Sequence, residues 1–270
     1  MPSTCDVSRA TCLRATVRNL KLTIVYDGTD YVGWQRQAAG VSIQGVLEDA
    51  LAPFDGAPVT VHGAGRTDAG VHALGQVASV QISAAIELAT LARALNAVLP
   101  ATIRIASVEE ADPEFHARFS ATGKTYEYRI VNAPFVSPFV HRYAWHVPQH
   151  LDMAAIQEAT EQLRGRHDFA AFQSAGTDVP SSVRTITAIE WIRGAGSDVP
   201  LVLRLSGDGF LRHMVRNLAG TLVEFGRGRW PASAMARILA SRDRSRAGTT
   251  APPNGLFLVA VMYHRGSKPA

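Results

Sequence analysis

The chain has 270 residues, enough for one large domain or two small ones with a sizeable core. With 47% hydrophobic and 19% charged residues it is expected to be an ordinary soluble globular protein, and no apolar run approaches the roughly 20 residues of a membrane-spanning helix. The net charge of +4 is uneven: residues 1–150 carry 12 Lys/Arg against 13 Asp/Glu, residues 151–270 carry 15 against 10, so the basic excess that would suit an anionic partner sits in the second half. All but three of the Lys/Arg positions are arginine, the exceptions being Lys21, Lys124 and Lys268. Arginine forks onto phosphates and stacks on bases, although a GC-rich genome produces the same bias.

Residues 1–19 are Arg-rich, lack the apolar segment of a secretory signal, and are expected to form a disordered extension. They hold both cysteines, Cys5 and Cys12, so the remaining chain carries no disulfide and no cysteine metal site, which fits a reducing cytoplasm. "LKLTIVYDG" (20–28) alternates as a strand. "SIQGVLEDALAPF" spaces Ile43, Val46, Leu47, Ala50 and Leu51 as one face of a helix capped by Ser42. "VTVHG" and "GQVASVQI" are short strands on either side of a glycine-rich loop. "LATLARALNAVLP" is a helix stopped by Pro100, and "TIRIASVEEA" alternates again.

The second half repeats the order. "KTYEYRIVN" is a strand, and "DMAAIQEATEQLRG" is a helix capped by Asp152 and stopped by Gly165. "VRTITAIEWIRG" and "PLVLRLSG" are strands joined by a turn at 194–200. "LRHMVRNLAGTLVEFG" and "PASAMARILASR" are helices, the second opening on Pro231, and "GLFLVAVMYH" is the closing strand. Two rounds of β-α-β-β-α-β predict an α+β protein with two ferredoxin-like halves, 20–115 and 116–264, sharing one extended, mostly antiparallel sheet with helices on one face, followed by a tail at 265–270. The uncovered face of such a sheet is a platform of the kind that binds RNA.

The loop "GAGRTDAGVHALGQ" (63–76) packs four glycines around Arg66 and Asp68. It is no phosphate loop: it lacks the Gly-Lys-Ser/Thr ending, leads into a strand, and carries an acid. It is no metal loop, because Asp68 has no second carboxylate close in sequence. One reading makes Asp68 the cap of a tight turn, its side chain on backbone amides. The other makes the glycines clearance for a substrate and Asp68 a nucleophile or general base. An ionised carboxylate in a dry pocket needs a cation, for which Arg66 and Arg216 are the candidates. In the helix starting at Leu211, Arg212 and Arg216 share one face, an unfavourable pair unless an anion lies near; Leu211, Met214, Val215, Leu218, Leu222 and Val223 form its apolar stripe. Tyr126 and Tyr128 share one strand face, where core packing and stacking on a base are both open. The nine histidines, His62, His72 and His213 among them, show no metal-ligand spacing, and no Ser-His-Asp arrangement is visible.

Taken together, "GWQRQ", "SIQGVLEDAL", "AGRTDAGVHALGQV", "FHARFSATGKTYEYRI", "HDFAAF", "FLRHMVRNLAG" and "GLFLVAV" resemble the tRNA pseudouridine synthase A family, in the family's order from about Leu20 to Tyr263. The resemblance implies a homodimer that uses neither metal nor organic cofactor and isomerises uridine to pseudouridine at positions 38, 39 and 40 of the tRNA anticodon arm. It implies that Asp68 is the catalytic carboxylate, Arg216 its partner, Tyr126 the tyrosine beside the target base and Arg66 the arginine that displaces or holds the flipped nucleotide. Asp68 would add to C1′ or C6, or remove the C2′ proton. Two other readings remain. A non-catalytic RNA-binding protein with two sheet platforms explains the arginines but not an acid facing phosphate. A small-molecule enzyme using Asp68 as base makes no use of the arginine excess.

Overall fold

Alternation along the first strand, β1 (Arg18–Tyr26), turns Leu20, Leu22, Ile24 and Tyr26 inward, all essentially buried. The computed structural model describes residues 17–176, 179–194 and 199–264; both cysteines, nearly all of the expected N-terminal extension, the 265–270 tail and the middle of the 194–200 turn lie outside the described residues. β1 starts two residues before the expected Leu20. Its first residue, Arg18, pairs with Glu110 at 2.7 Å and donates to the Ile86 carbonyl, tying that end to two neighbouring segments.

Helix α1 (Ile43–Asp55) begins as expected after Ser42, whose Oγ accepts from the Gly45 amide. Then follow β2 (Val61–Gly63), β3 (His72–Ile82), α2 (Leu88–Val98) and β4 (Ile103–Glu110). In space these strands lie β4-β1-β3-β2, every pair antiparallel. The second half supplies β5 (Ala121–Val131), the two-residue β6 (Trp145–His146), α3 (Met153–Glu161), β7 (Gly165–Asp168), β8 (Val183–Arg193), β9 (Leu201–Gly207), α4 (Met214–Gly226), α5 (Ala234–Ser241) and β10 (Leu256–Tyr263). Asp152 caps α3 through the Ala154 and Ala155 amides. Its strands lie β10-β5-β9-β8, the same order as the first half, with β7 added beyond β8 and β6 beside the end of β5. The expected pair of ferredoxin-like halves is therefore present.

Three helix boundaries differ from expectation by about a turn. α3 ends at Glu161, and Gly165 opens β7 instead of stopping the helix. α5 starts at Ala234, because Pro231 to Ser233 form a turn closed by the Ala234 amide on the Pro231 carbonyl. α4 starts at Met214, since His213 takes a left-handed backbone (φ 59°) that no α-helix continues through. The stripe expected on α4 is buried throughout.

The two halves join through β3 and β10. One edge of β3 carries β1 along its length; on the other edge, β2 pairs with Ala78–Val80 and β10 with His72 and Ala73, the latter parallel. The 10-stranded sheet and all five helices enclose one continuous apolar core. Tyr126, Tyr128 and Ile130 of β5 point into that core. Between them, Glu127 points the other way and pairs with Arg204 of β9 at 2.7 Å, which also reaches Glu190 of β8. Among the described residues, no helix is long and apolar enough to cross a membrane.

Candidate active site

The glycine-rich loop leaves β2 and enters β3 at the junction of the halves. Its backbone is pinned at several points. Thr67, buried, accepts from the Trp34 amide through its carbonyl and meets the Tyr26 hydroxyl at 2.8 Å through Oγ1. The Gly65 carbonyl accepts from the side chain of the fully buried Gln76 at 2.8 Å. Asp68 to Val71 form a turn closed by the Val71 amide on the Asp68 carbonyl, with Gly70 at φ 76° in the position where only glycine is comfortable. At the loop's end, His72 is buried, stacks on Phe257 at 4.6 Å, and takes the Gly28 amide on Nδ1. Burial holds its imidazole below the ordinary histidine pKa, against the pull of Asp27.

The expected turn exists, but the Asp68 carboxylate takes no part in it. It leaves the loop and crosses to the second half. Oδ2 accepts from Nη1 of Arg216 at 3.0 Å and lies 3.4 Å from Nε2 of His213. Oδ1 has no hydrogen-bond partner among the described residues, and the side chain is one-third exposed. Arg216, in the first turn of α4, is itself held: its Nε donates to the Ala251 carbonyl at 2.8 Å. Of the two candidate cations, geometry selects Arg216. Arg66 points outward, exposed, with no ion pair among the described residues.

Clearance for a substrate is not what the four loop glycines provide. A Cβ on Gly63 would overlap the Trp34 ring, and one on Gly75 the Val259 carbonyl oxygen. Gly70 makes the turn, and a Cβ on Gly65 would come 3.0 Å from Nζ of Lys124. The space beside each is filled by this chain's own atoms. The helix-face argument for Arg212 and Arg216 also changes. Arg212 precedes the helix and donates to the Ala175 carbonyl at 2.7 Å, so the two arginines are not stacked on one helical face.

Tyr126 is 8% exposed, with its ring edge-on to Phe210 at 5.1 Å. Burial, with smaller contributions from Tyr26 and from the charge on Asp68, pushes its phenol well above the usual tyrosine pKa. It is therefore a neutral hydrogen-bond donor near neutral pH and a poor resting base. Tyr128, on the same face, is fully buried and donates to the Pro252 carbonyl at 2.7 Å, a packing role. The site thus collects on the core side of the sheet, at the start of α4, and not on the opposite face where Glu127, Arg204 and Glu190 pair.

Two further residues belong to this site. His213 reaches Asp68 because its left-handed backbone turns the side chain away from the helix path. Such a conformation in a non-glycine residue costs about 1–2 kcal/mol and must be held by its surroundings. Burial keeps its imidazole below the ordinary histidine pKa; Asp68 opposes this, and Arg216, Arg212 and Arg244 reinforce it. Asn217, fully buried, donates to the Phe172 carbonyl at 2.8 Å and accepts from Arg244 at 3.0 Å and Thr250 at 2.6 Å. It locks the first turn of α4, and with it Arg216, to two surrounding loops. The sequence offered two signals for them, their spacing of four and their place in "FLRHMVRNLAG", and neither assigned them a partner.

The chain matches the tRNA pseudouridine synthase family over residues 23–120 and 159–264. Arg66, Asp68, His213 and Arg216 fall inside those spans, and Tyr126 lies between them. The chain is 48% identical over 249 residues to the tRNA pseudouridine synthase A of Solidesulfovibrio magneticus, covering 90% of each chain. It is 46% identical over 247 residues to that of Myxococcus xanthus, covering 92% of each. With that of Acetivibrio thermocellus it shares 44% over 247 residues, covering 92% of this chain and 100% of the relative.

Proposed function

The chain belongs to the tRNA pseudouridine synthase family and is an isomerase, and from that premise we propose that it converts uridine to pseudouridine at positions 38, 39 and 40 of the tRNA anticodon arm, with Asp68 as its catalytic carboxylate. The observation that carries the assignment to Asp68 is the pairing of one carboxylate oxygen with Arg216, beside His213, while the other has no hydrogen-bond partner among the described residues. A carboxylate kept only to cap its own turn would spend its oxygens on the loop's amides, and Asp68 instead reaches across to the second half.

The reaction breaks the bond from C1′ to N1 of uracil and joins C5 to C1′. A proton leaves C5 and one is gained at N1, so atoms balance within the nucleotide, with no oxidant, hydrolytic water or external group needed. The target nucleotide must first leave its stack, at a cost of a few kcal/mol. Arg66, exposed beside Asp68, enters the vacated space and holds the displaced strand. Tyr126 lies along the base and limits its tumbling while it is detached; its neutral hydroxyl donates a hydrogen bond and does not compete for the C5 proton. Asp68 acts on the sugar or base through Oδ1, and Arg216 compensates its charge before and after that step. The enzyme so read is a homodimer built of the halves 20–115 and 116–264, working in the cytoplasm on tRNA. Sedimentation velocity at several concentrations tests the dimer, which requires a concentration-dependent shift towards twice the 29.0 kDa chain mass.

The deciding experiment is release of tritium from C5-labelled uridine in an anticodon-arm transcript. Wild type should release it stoichiometrically with pseudouridine. Asp68→Asn should keep the fold and bind the RNA, yet release none. Full activity in that variant would remove Asp68 from the chemistry. Binding without release by the wild type would favour the alternative of a non-catalytic RNA-binding protein.

A further inference from the structure

Lys124 stands two residues before Tyr126 on β5, hence on the same sheet face. Its ammonium lies under the loop that carries Asp68, 3.0 Å from where a Cβ on Gly65 would be. It is partly buried, and among the described residues it has neither a hydrogen bond nor an ion pair. The charged groups that act on it are Arg118 and Arg184, both cations; burial first, then these two, lower its pKa. Arg184 is held by the carbonyls of Ser181 and Val183 and passes 3.5 Å from the Cβ position of Gly209, beside the Phe210 that packs on Tyr126. Arg118 lies over the ring of Phe119, which is 76% exposed. None of the three cations has a carboxylate partner among the described residues. An ammonium only partly reached by water, with two guanidinium groups acting on it, is less favourable than a fully solvated one unless an anion completes the cluster.

Resting on the reading above, we infer that Lys124, Arg118 and Arg184 form a seat for a phosphodiester of the substrate RNA, beside the loop that carries Asp68. The occupant is one of the two phosphates flanking the extruded uridine. Lys124 comes from β5, where it pairs in register with Gly207, which lies against the Thr185 carbonyl next to Arg184; Ala117, next to Arg118, packs in one small apolar cluster with Ala64, next to Gly65. An RNA phosphate supplies the negative charge that none of the described residues places there, and the ordering of the strand there places the sugar over Asp68.

The test is RNA binding by Lys124→Met, with Lys124→Arg and Arg93→Ala as comparisons, across a salt series. Loss of one phosphate contact should make the slope of log K against log salt shallower by about 0.7 to 0.9. It should weaken binding of an anticodon-arm RNA roughly tenfold. Lys124→Arg should keep the wild-type slope, as should Arg93→Ala on the distant helix α2. Because the lysine has no partner among the described residues, Lys124→Met should unfold at the same or higher urea concentration; a lower midpoint would mean a structural role and overturn the inference. A methylphosphonate at one of the two flanking phosphates should weaken wild-type binding and add nothing to the loss in Lys124→Met. An unchanged salt slope in Lys124→Met, or additive losses at both phosphates, would likewise overturn it. Tritium release by the wild type in the same preparation separates the two readings: release with an unchanged slope defeats the phosphate seat alone, while absence of release defeats the isomerase.

Discussion

Arg216 and His213 both address Oδ2 of Asp68, and they differ in charge. Arg216 is a permanent cation on a partly buried carboxylate. Truncating one partner of such a hydrogen-bonded pair costs about 2–5 kcal/mol. Arg216→Ala should therefore slow single-turnover pseudouridine formation by a factor on the order of a hundred, with RNA affinity much less affected. A near-normal single-turnover rate would show that the pair is dispensable. His213 is neutral at pH 7, because burial and the surrounding Arg212, Arg216 and Arg244 outweigh the pull of Asp68. As pH falls below the ordinary histidine value of about 6.5, the ring gains a proton, draws charge from Oδ2 and weakens the carboxylate. The wild-type rate should then show an acid limb that His213→Gln lacks. A limb of the same position and size in His213→Gln would exclude the imidazole as its source.

At the scale of elements, the start of α4 is where three segments meet, and Asn217 is their shared tie. Asn217→Ala removes the acceptor for Arg244 and Thr250 and the donor to Phe172. Unmet buried polar groups of this kind cost about 1–3 kcal/mol each, so the urea midpoint should fall by the equivalent of roughly 2–3 kcal/mol. An unchanged midpoint would mean that water takes over these bonds without cost. The elements themselves were largely legible. The apolar stripe of α4, the caps Ser42 and Asp152, and the alternation of β1 and β5 are local patterns that survive any tertiary arrangement. The starts of α4 and α5 were not legible, because His213 and the Pro231 turn take conformations set by what lies against them. β6 was missed because two residues show no period, and β7 because its sequence, Gly165 to Asp168, has no apolar residue to mark a buried face.

Across the whole molecule, three buried tyrosines line the junction of the halves: Tyr26, Tyr126 and Tyr128. Burial raises the pKa of each, moderated for Tyr26 by hydrogen bonds to Thr67 and Gln76 and for Tyr128 by Arg216. Above pH of about 10 the unfolded chain ionises these phenols while the folded chain keeps their protons. The native state then binds more protons than the unfolded one, so stability is whole below that pH and falls as pH rises beyond it. The slope is about 1.4 kcal/mol per pH unit for each tyrosine. Urea denaturation between pH 9 and 11 should show the decline, and Tyr128→Phe should lessen it by one tyrosine's share. An identical slope in that variant would mean that Tyr128 ionises as readily folded as unfolded.

From the sequence by itself came the β-α-β-β-α-β order of both halves, the single shared sheet and the singular position of Asp68 in a loop unfit for phosphate or metal. Those features rest on local periodicity, capping and side-chain chemistry, which neighbours in sequence suffice to define. Only the tertiary structure decided which cation faces Asp68, since Arg216 lies 148 positions away and Arg66 only two. It also gave the loop glycines to Trp34, Lys124 and Val259 instead of to a ligand, and brought His213 in through a left-handed backbone. Such choices depend on how two distant segments pack, and neither segment records its partner in its own residues.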